Sequence, residues 1–271
     1  MSGPNQGKSV IDTSVPHPAR RYNYWLGGKD NFAADRESAD EIERKFPGMR
    51  TGVVANRAFL RRVIPYLTQE AGIRQFLDIG TGLPTADNTH EVAQRIAPES
   101  RILYVDNDPL VMTHARALLT SSPEGRTDYL EADLRNPGSI LGDPMLRDTL
   151  DLSQPVALML VAILHFVPGE GKAQPLVEQL LDRLPSGSYM AATHFTLDFM
   201  PPEEKERYEQ MLAGGRSDVW PRSHAEFGAL FNGLELVEPG IGLVSQWRPE
   251  PGTEQPEPRL VSMLAAVGRK P

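Results

Sequence analysis

Apolar positions along this chain change their period near residue 72. Before it, residues 33–45 and 53–69 carry apolar side chains at helical spacing. In the second stretch Val53, Phe59, Leu60, Val63, Ile64 and Leu67 fall on one face that should be buried. From Gly72 onward, short apolar runs alternate with amphipathic stretches. The runs at 75–79, 102–105, 127–131, 156–161 and 188–193 read as strands, and 88–96, 109–119 and 171–184 as the helices between them. That rhythm predicts an α/β fold with a parallel sheet covered on both faces. The last quarter departs from it. Ser223-x-x-Glu226 has the form of a capping box opening a helix to about Phe231. Two apolar runs follow, 234–244 and 260–268, joined by a linker rich in proline and glutamate that should stay exposed and mobile. Consecutive strands after a βα series predict a terminal hairpin, with one strand antiparallel to the others.

The first strand carries the most informative chemistry. Phe76-Leu77-Asp78-Ile79-Gly80-Thr81-Gly82-Leu83-Pro84-Thr85 is an apolar run around a carboxylate that leads into a glycine turn, the form of a strand ending in a ligand loop. Dinucleotide sites place a helix N-terminus directly against the phosphates. Here the next helix starts late, because Asn88-x-x-Glu91 is its cap. Asp78 would also repel a pyrophosphate and attract a cation. A ligand carrying ammonium and sulfonium groups but no phosphate satisfies both features, which points to S-adenosylmethionine. Gly80, Thr81 and Gly82 would form its loop.

The ends of the later strands extend this reading. Asp106 closes the second strand and is placed to take both ribose hydroxyls, with Asn107 flanking the adenine. Asp108 precedes Pro109 and reads as a helix cap. After the third strand, Asp133 can accept from the adenine amino group while the Leu134 N–H donates to a ring nitrogen. After the fourth, Ala162 permits close approach, and His165 is a candidate to stack on the ligand or act as a base. His194 follows the fifth strand and is a second candidate base.

Composition removes several alternatives. The 271 residues are 40% hydrophobic, enough for one large α/β domain and an accessory segment. A net charge of −8 gives no electrostatic footprint for nucleic acid or an anionic membrane. There is no cysteine, hence no disulfide, thiolate metal site or cysteine nucleophile, and no metal site is expected. The longest apolar run, 156–164, falls short of the roughly 18 residues that would suggest a membrane span. With a polar N-terminus lacking a signal-peptide core, the expected location is cytoplasmic.

The order Asp78-Ile79-Gly80-Thr81-Gly82, Asp106, Asp133-Leu134 and Leu164-His165-Phe166 resembles class I S-adenosylmethionine-dependent methyltransferases over about residues 72–269. The stretch from Asp12 to Pro16, with Ala19 to Arg36, is similar to a bacterial S-adenosyl methyltransferase family formerly a domain of unknown function. With it the resemblance spans nearly the whole chain. It implies a Rossmann-like doubly wound sheet of seven strands with an antiparallel last strand, and S-adenosylmethionine as the cofactor. It brings no established acceptor. Pro84 stands where class I enzymes usually carry a third glycine, which alters the expected loop geometry.

The expected organisation is a disordered tail over residues 1–10, a helical cap or lid over 11–71, and the cofactor-binding domain over 72–271. Two readings of the cap stay open. In one, Tyr22, Tyr24 and Trp25 close over the methionine end of the cofactor, with Arg20 or Lys29 meeting its carboxylate. In the other, the aromatics pack the helices onto the sheet and Arg20 bridges Asp30 or Asp35. The basic stripe Arg50, Arg57, Arg61 and Arg62 reads as a solvated helix face. Methyl transfer needs a base only where the acceptor loses a proton, and His165, His194, Tyr22 and Tyr24 are the candidates. The function expected is methyl transfer to a small molecule. The rivals are a cofactor-sensing protein without transfer, a nucleic-acid methyltransferase and an NAD-dependent oxidoreductase.

Overall fold

The computed structural model describes residues 12–118 and 120–271; the expected tail at 1–10, and Leu119 at the end of the expected 109–119 helix, lie outside them. Three helices come first: α1 (Pro18–Trp25), α2 (Ala33–Lys45) and α3 (Met49–Pro65). The apolar face expected on α3 is buried, with Phe59, Val63 and Ile64 fully enclosed. Past Pro65 the chain widens into a π turn, Tyr66–Glu70. Periodicity did not predict α1, for a physical reason. Its buried residues are Arg20, Arg21, Asn23 and Trp25, so the inward face is largely polar.

The alternating region folds as βα units. Its elements are β1 (Gln75–Ile79), α4 (Thr89–Ile96), β2 (Arg101–Asp106), α5 (Pro109–Leu118), β3 (Arg126–Glu131), α6 (Pro137–Gly142), α7 (Pro144–Thr149), β4 (Ala157–Leu160), α8 (Gln174–Leu181) and β5 (Tyr189–Phe195). After them come α9 (Pro202–Ala213), α10 (His224–Ala229), β6 (Glu235–Leu236), β7 (Gly242–Leu243), α11 (Pro258–Val261) and β8 (Met263–Arg269). The sheet order is β3-β2-β1-β4-β5-β8-β6, with β7 also paired to β8. Strands β1 to β5 are parallel, and β8 runs antiparallel to β5. The expected strand at 234–244 is present as two short pieces, β6 and β7, on the far edge of β8. The break falls at Val237–Ile241, where Pro239 has no N–H to give a ladder.

Side chains alternate across the sheet and fill two cores. Phe76, Ile102, Tyr104 and Met159 pack beneath α3, and Leu77, Leu103, Leu158 and Met190 face α8 and α10. The order reverses between β1 and its neighbours β2 and β4. Such a switch point opens a crevice beyond the carboxyl ends of the strands. Among the described residues, no helix is long and apolar enough to cross a membrane.

Candidate functional site

A cavity of about 990 Å³ occupies that crevice. Along its floor the ends of β1, β2 and β3 each present one carboxylate, Asp78, Asp106 and Asp133. Asp78 is buried at the end of β1 and its Oδ2 accepts from the Thr89 hydroxyl at 2.6 Å. Burial pushes its carboxyl up to about 6, with Thr89 and the Arg57 charge pulling the other way. Thr89 opens α4, well past Gly82, and the Glu91 carboxylate accepts the Asn88 N–H at 2.8 Å. The late cap is therefore real, and its first residue orients the acid.

Gly80 has φ +80°, and a Cβ there would meet the Ile163 side chain at 2.5 Å. Its N–H donates to Val105 O at 2.8 Å, which closes the turn over β2. Thr81 Oγ1 donates to Asp78 O at 3.2 Å. Gly82 N–H donates to Asp106 Oδ2 at 2.8 Å, while Oδ1 accepts from Asp108 N at 2.9 Å. These bonds fix the rotamer of Asp106. Burial still raises its carboxyl above the usual range. Asp108 caps α5 through the Leu110 N–H at 2.9 Å, as its place before Pro109 predicts.

Asp133 accepts from both backbone and guanidinium of Arg135 and from Asn107 Nδ2 at 3.2 Å. The Arg135 bonds hold its carboxyl down at about 2. Leu134 is buried against the sheet beside it. Ala162, just past β4, takes φ +55°, and its N–H donates to Thr193 Oγ1 at 2.9 Å. This left-handed turn carries the chain across the cavity floor to His165.

The two candidate histidines have different surroundings. His165 lines the cavity, its Nδ1 is buried without a hydrogen-bond partner, and burial pushes the imidazole down to about 4. The Asp218 carboxylate acts to raise it. His194 is fully buried and is not part of the cavity wall among the described residues. Its Nδ1 lies 2.7 Å from Phe195 O and its Nε2 2.7 Å from Arg222 Nη1. As the guanidinium can only donate, Nε2 accepts and Nδ1 carries the proton. Both nitrogens are occupied, so His194 has none left to act as a base. Arg222 also donates to Leu164 O and Val167 O, stitching the loop after β4 to β5. No local pattern marks Arg222; its partners lie far upstream in the chain.

The N-terminal segment corrects further expectations. Arg20 is buried, donates to Asp12 O and Val15 O, and faces Asp35 at 3.5 Å; it does not reach the cavity. The packing reading, with Asp35 as partner, therefore holds for this side chain. Tyr24 points outward to Asp40 Oδ1 at 3.0 Å and is also absent from the wall. Tyr22 does line the cavity, between Asn56 Nδ2 at 2.8 Å and Val53 O at 3.3 Å.

The basic stripe is not a uniform solvated face. Arg62 donates to Val244 O and Trp247 O, and Arg50 to Trp25 O. Arg57 turns into the cavity with one nitrogen on Ala86 O at 2.7 Å and its Nε unpartnered. Its charge acts on both Asp78 and Tyr22. Asn56 Oδ1, one residue earlier, is likewise buried and unpartnered. Sequence spacing gave the phase of α3 but left unsaid that its polar flank closes a cavity.

Comparison with known proteins adds to this geometry. A family profile described as S-adenosyl methyltransferase matches residues 4–271. A DUF574 family protein from Streptomyces avermitilis is 50% identical, with a TM-score of 0.91 over 97% of this chain and 100% of that one. A Thermobifida fusca protein carrying a provisional methyltransferase name is 40% identical, with a TM-score of 0.86 over 96% of each chain. No curated protein matches the chain.

Proposed function

The chain belongs to the S-adenosyl methyltransferase family, and on that premise we propose that it transfers a methyl group to a small-molecule acceptor held in the same cavity as the cofactor. One observation supports the cofactor's orientation: three carboxylates stand at or just past the ends of three adjacent strands, with unpartnered Asn56 Oδ1 and Arg57 Nε on residues lining the same cavity. In this reading Asp133 and the Leu134 N–H take the adenine, the exposed Asn107 amide yielding its bond to Asp133. Asp106, held by the Gly82 and Asp108 N–H groups, takes the ribose hydroxyls. Asp78 and Asn56 Oδ1 face the ammonium, and Arg57 pairs with the carboxylate, a role the sequence assigned to Arg20 or Lys29. Orphaned buried polar atoms are costly, about 1–3 kcal/mol each, and a ligand that satisfies them recovers that cost.

Bound S-adenosylmethionine supplies an electrophilic methyl on a cationic sulfur. The protein has to align the acceptor, exclude water and provide for any proton released. Ala162 and His165 sit past β4, between the carboxylate end of the cavity and the end of β5, where the two reactants would meet. An uncharged imidazole there adds no second cation beside the sulfonium. Where the acceptor would lose a proton on methylation, His165 would be the group placed to receive it. Tyr22 is a positioning residue, with its hydroxyl between Asn56 and Val53 O.

Calorimetry with S-adenosylhomocysteine and adenosine tests this orientation. Arg57→Met is expected to weaken S-adenosylhomocysteine by about 10- to 100-fold, the worth of a charge-assisted hydrogen bond, and to leave adenosine unchanged. Equal loss for both ligands would overturn the assignment of Arg57. A wild-type protein that binds neither would overturn the proposed site.

A further inference from the structure

The second half of the cavity differs in chemistry from the first. Phe195 ends β5, two strands from β1, which places it about 10 Å from Asp78 in the hydrogen-bonding direction of the sheet. Around it, Phe46, Met49, Met200, Tyr208 and Met211 line the same cavity and pack as one cluster. Tyr208 meets Phe46 and Phe195 with ring centroids 5.3 and 5.2 Å apart. Its hydroxyl is already spent, 2.8 Å from both Val219 O and Ser217 Oγ. The inner wall of this half is therefore thioether and aromatic, with its one polar group satisfied. Of the charges around it, Arg21 pairs with Asp218 and Lys45 with Glu41, while Glu204 and Arg216 line the same cavity outside the six-residue cluster.

From this wall we infer that the acceptor is an uncharged small molecule with an apolar aromatic ring, seated among these six side chains with its nucleophilic atom toward His165. The inference rests on the cofactor orientation proposed above and names the substrate class for the same site. A phosphate or sugar seated among these six side chains would have to leave water for groups that offer it no free donor, at a cost of several kcal/mol. An aromatic ring loses little there and gains edge and sulfur contacts. Three methionines give the wall a shape that adjusts to more than one ring system. Space also suffices. About 990 Å³ lies at the top of the range for a single bound ligand, so cofactor and ring fit together.

The probes are 1-naphthol and 1-naphthyl phosphate, titrated by calorimetry into the full chain saturated with S-adenosylhomocysteine. Naphthol is expected to bind at least about tenfold tighter than its phosphate ester, a difference of about 1.4 kcal/mol. Met211→Trp, which fills the pocket, should abolish naphthol binding while S-adenosylhomocysteine affinity stays within about twofold, the latter reporting a folded protein. Met49→Trp does the same from the α3 side should Met211→Trp fail to fold. No naphthol binding, a tighter phosphate ester, or naphthol binding indifferent to a folded tryptophan variant would each overturn the inference and leave the methyltransferase reading standing. Failure of the wild type to bind S-adenosylhomocysteine would instead remove the reading on which it rests.

Discussion

The two ends of the cavity are built on different principles. At the β1–β3 end, three carboxylates stand at or just past strand ends, and nearby turn, cap or loop groups fix them, with Asn56 and Arg57 of α3 beside them on the cavity wall. Asp106 is held by Gly82 and Asp108, and Asp78 by Thr89. At the β5 end the wall is assembled from two stretches far apart in the chain, α2–α3 and β5–α9. Phe46 follows α2, Met49 begins α3, Phe195 closes β5, and Tyr208 and Met211 come from α9. The first construction would preserve a proposed ligand contact through local backbone geometry. The second lets the wall change side chain by side chain while the sheet beneath stays the same. A fixed donor of methyl groups and a variable acceptor would call for this division.

Arg222 joins the two ends, and its loss should have the largest effect. Arg222→Leu leaves Val167 O and His194 Nε2 without their donor in a buried setting, while Leu164 O keeps the Val167 N–H at 3.1 Å. At about 1–3 kcal/mol for each buried group, the expected loss of stability is at least about 2 kcal/mol. Thermal unfolding should fall by at least roughly 4–8 °C for a chain of this size. A variant as stable as the wild type would show that the seam between β4 and β5 does not depend on this guanidinium.

The next effect is confined to the cofactor end. Gly80→Ala puts a Cβ at φ +80° against Ile163. Left-handed strain costs about 1–2 kcal/mol and the overpacking about 1–3 more. Affinity for S-adenosylhomocysteine should fall by at least about tenfold. An unchanged affinity would separate the glycine turn from the ligand.

Asp78 sharpens the comparison through pH. Burial pushes its carboxyl up to about 6, above the ordinary 3.8. Between these values the folded chain holds a proton that the unfolded chain has released, so this group's contribution to stability declines as pH rises through that window. A bound cation favours the ionised form and offsets that decline. S-adenosylmethionine affinity should therefore rise with pH up to about 6 and level off above 7, and fall about tenfold between pH 6 and 4.5. Asp78→Asn should flatten this profile. A flat wild-type profile would mean that the acid does not face the cation.

How much of this was legible follows from the same division. The strands, the late cap at Asn88 and the three acids at the ends of β1, β2 and β3 could be read because a buried strand and its terminal turn are written in adjacent residues. The glycine turn and Asp108 cap belong to that class. Arg57 could not be assigned, because a helical arginine between an apolar face and a charged one looks the same whether its flank meets water or a cavity. His165 and His194 were indistinguishable in sequence. Their difference depends on Arg222, whose reach back to β4 and β5 only the fold reveals. α9 was missed because PEEKERYEQMLA buries just Tyr208 and Met211, too few for a helical stripe.

Tyr22 and Tyr24 give the smallest and most selective prediction. Sequence treats them as equivalent, two residues apart in one aromatic segment. On α1 that separation turns them to different sides. Tyr24 reaches Asp40 at the surface, and an exposed hydrogen bond of this kind contributes little. Tyr24→Phe should change stability and S-adenosylhomocysteine affinity by less than about 0.5 kcal/mol. Tyr22 accepts from Asn56 at the cavity wall, so Tyr22→Phe frees a second polar atom on a residue whose Oδ1 already lacks a partner. The expected cost is about 1–2 kcal/mol, read as weaker S-adenosylhomocysteine binding if Asn56 meets the ammonium, and as lower thermal stability alone if it does not. Equal effects from both substitutions would mean that α1 packs as a unit and that its inward tyrosine has no separate part in the site.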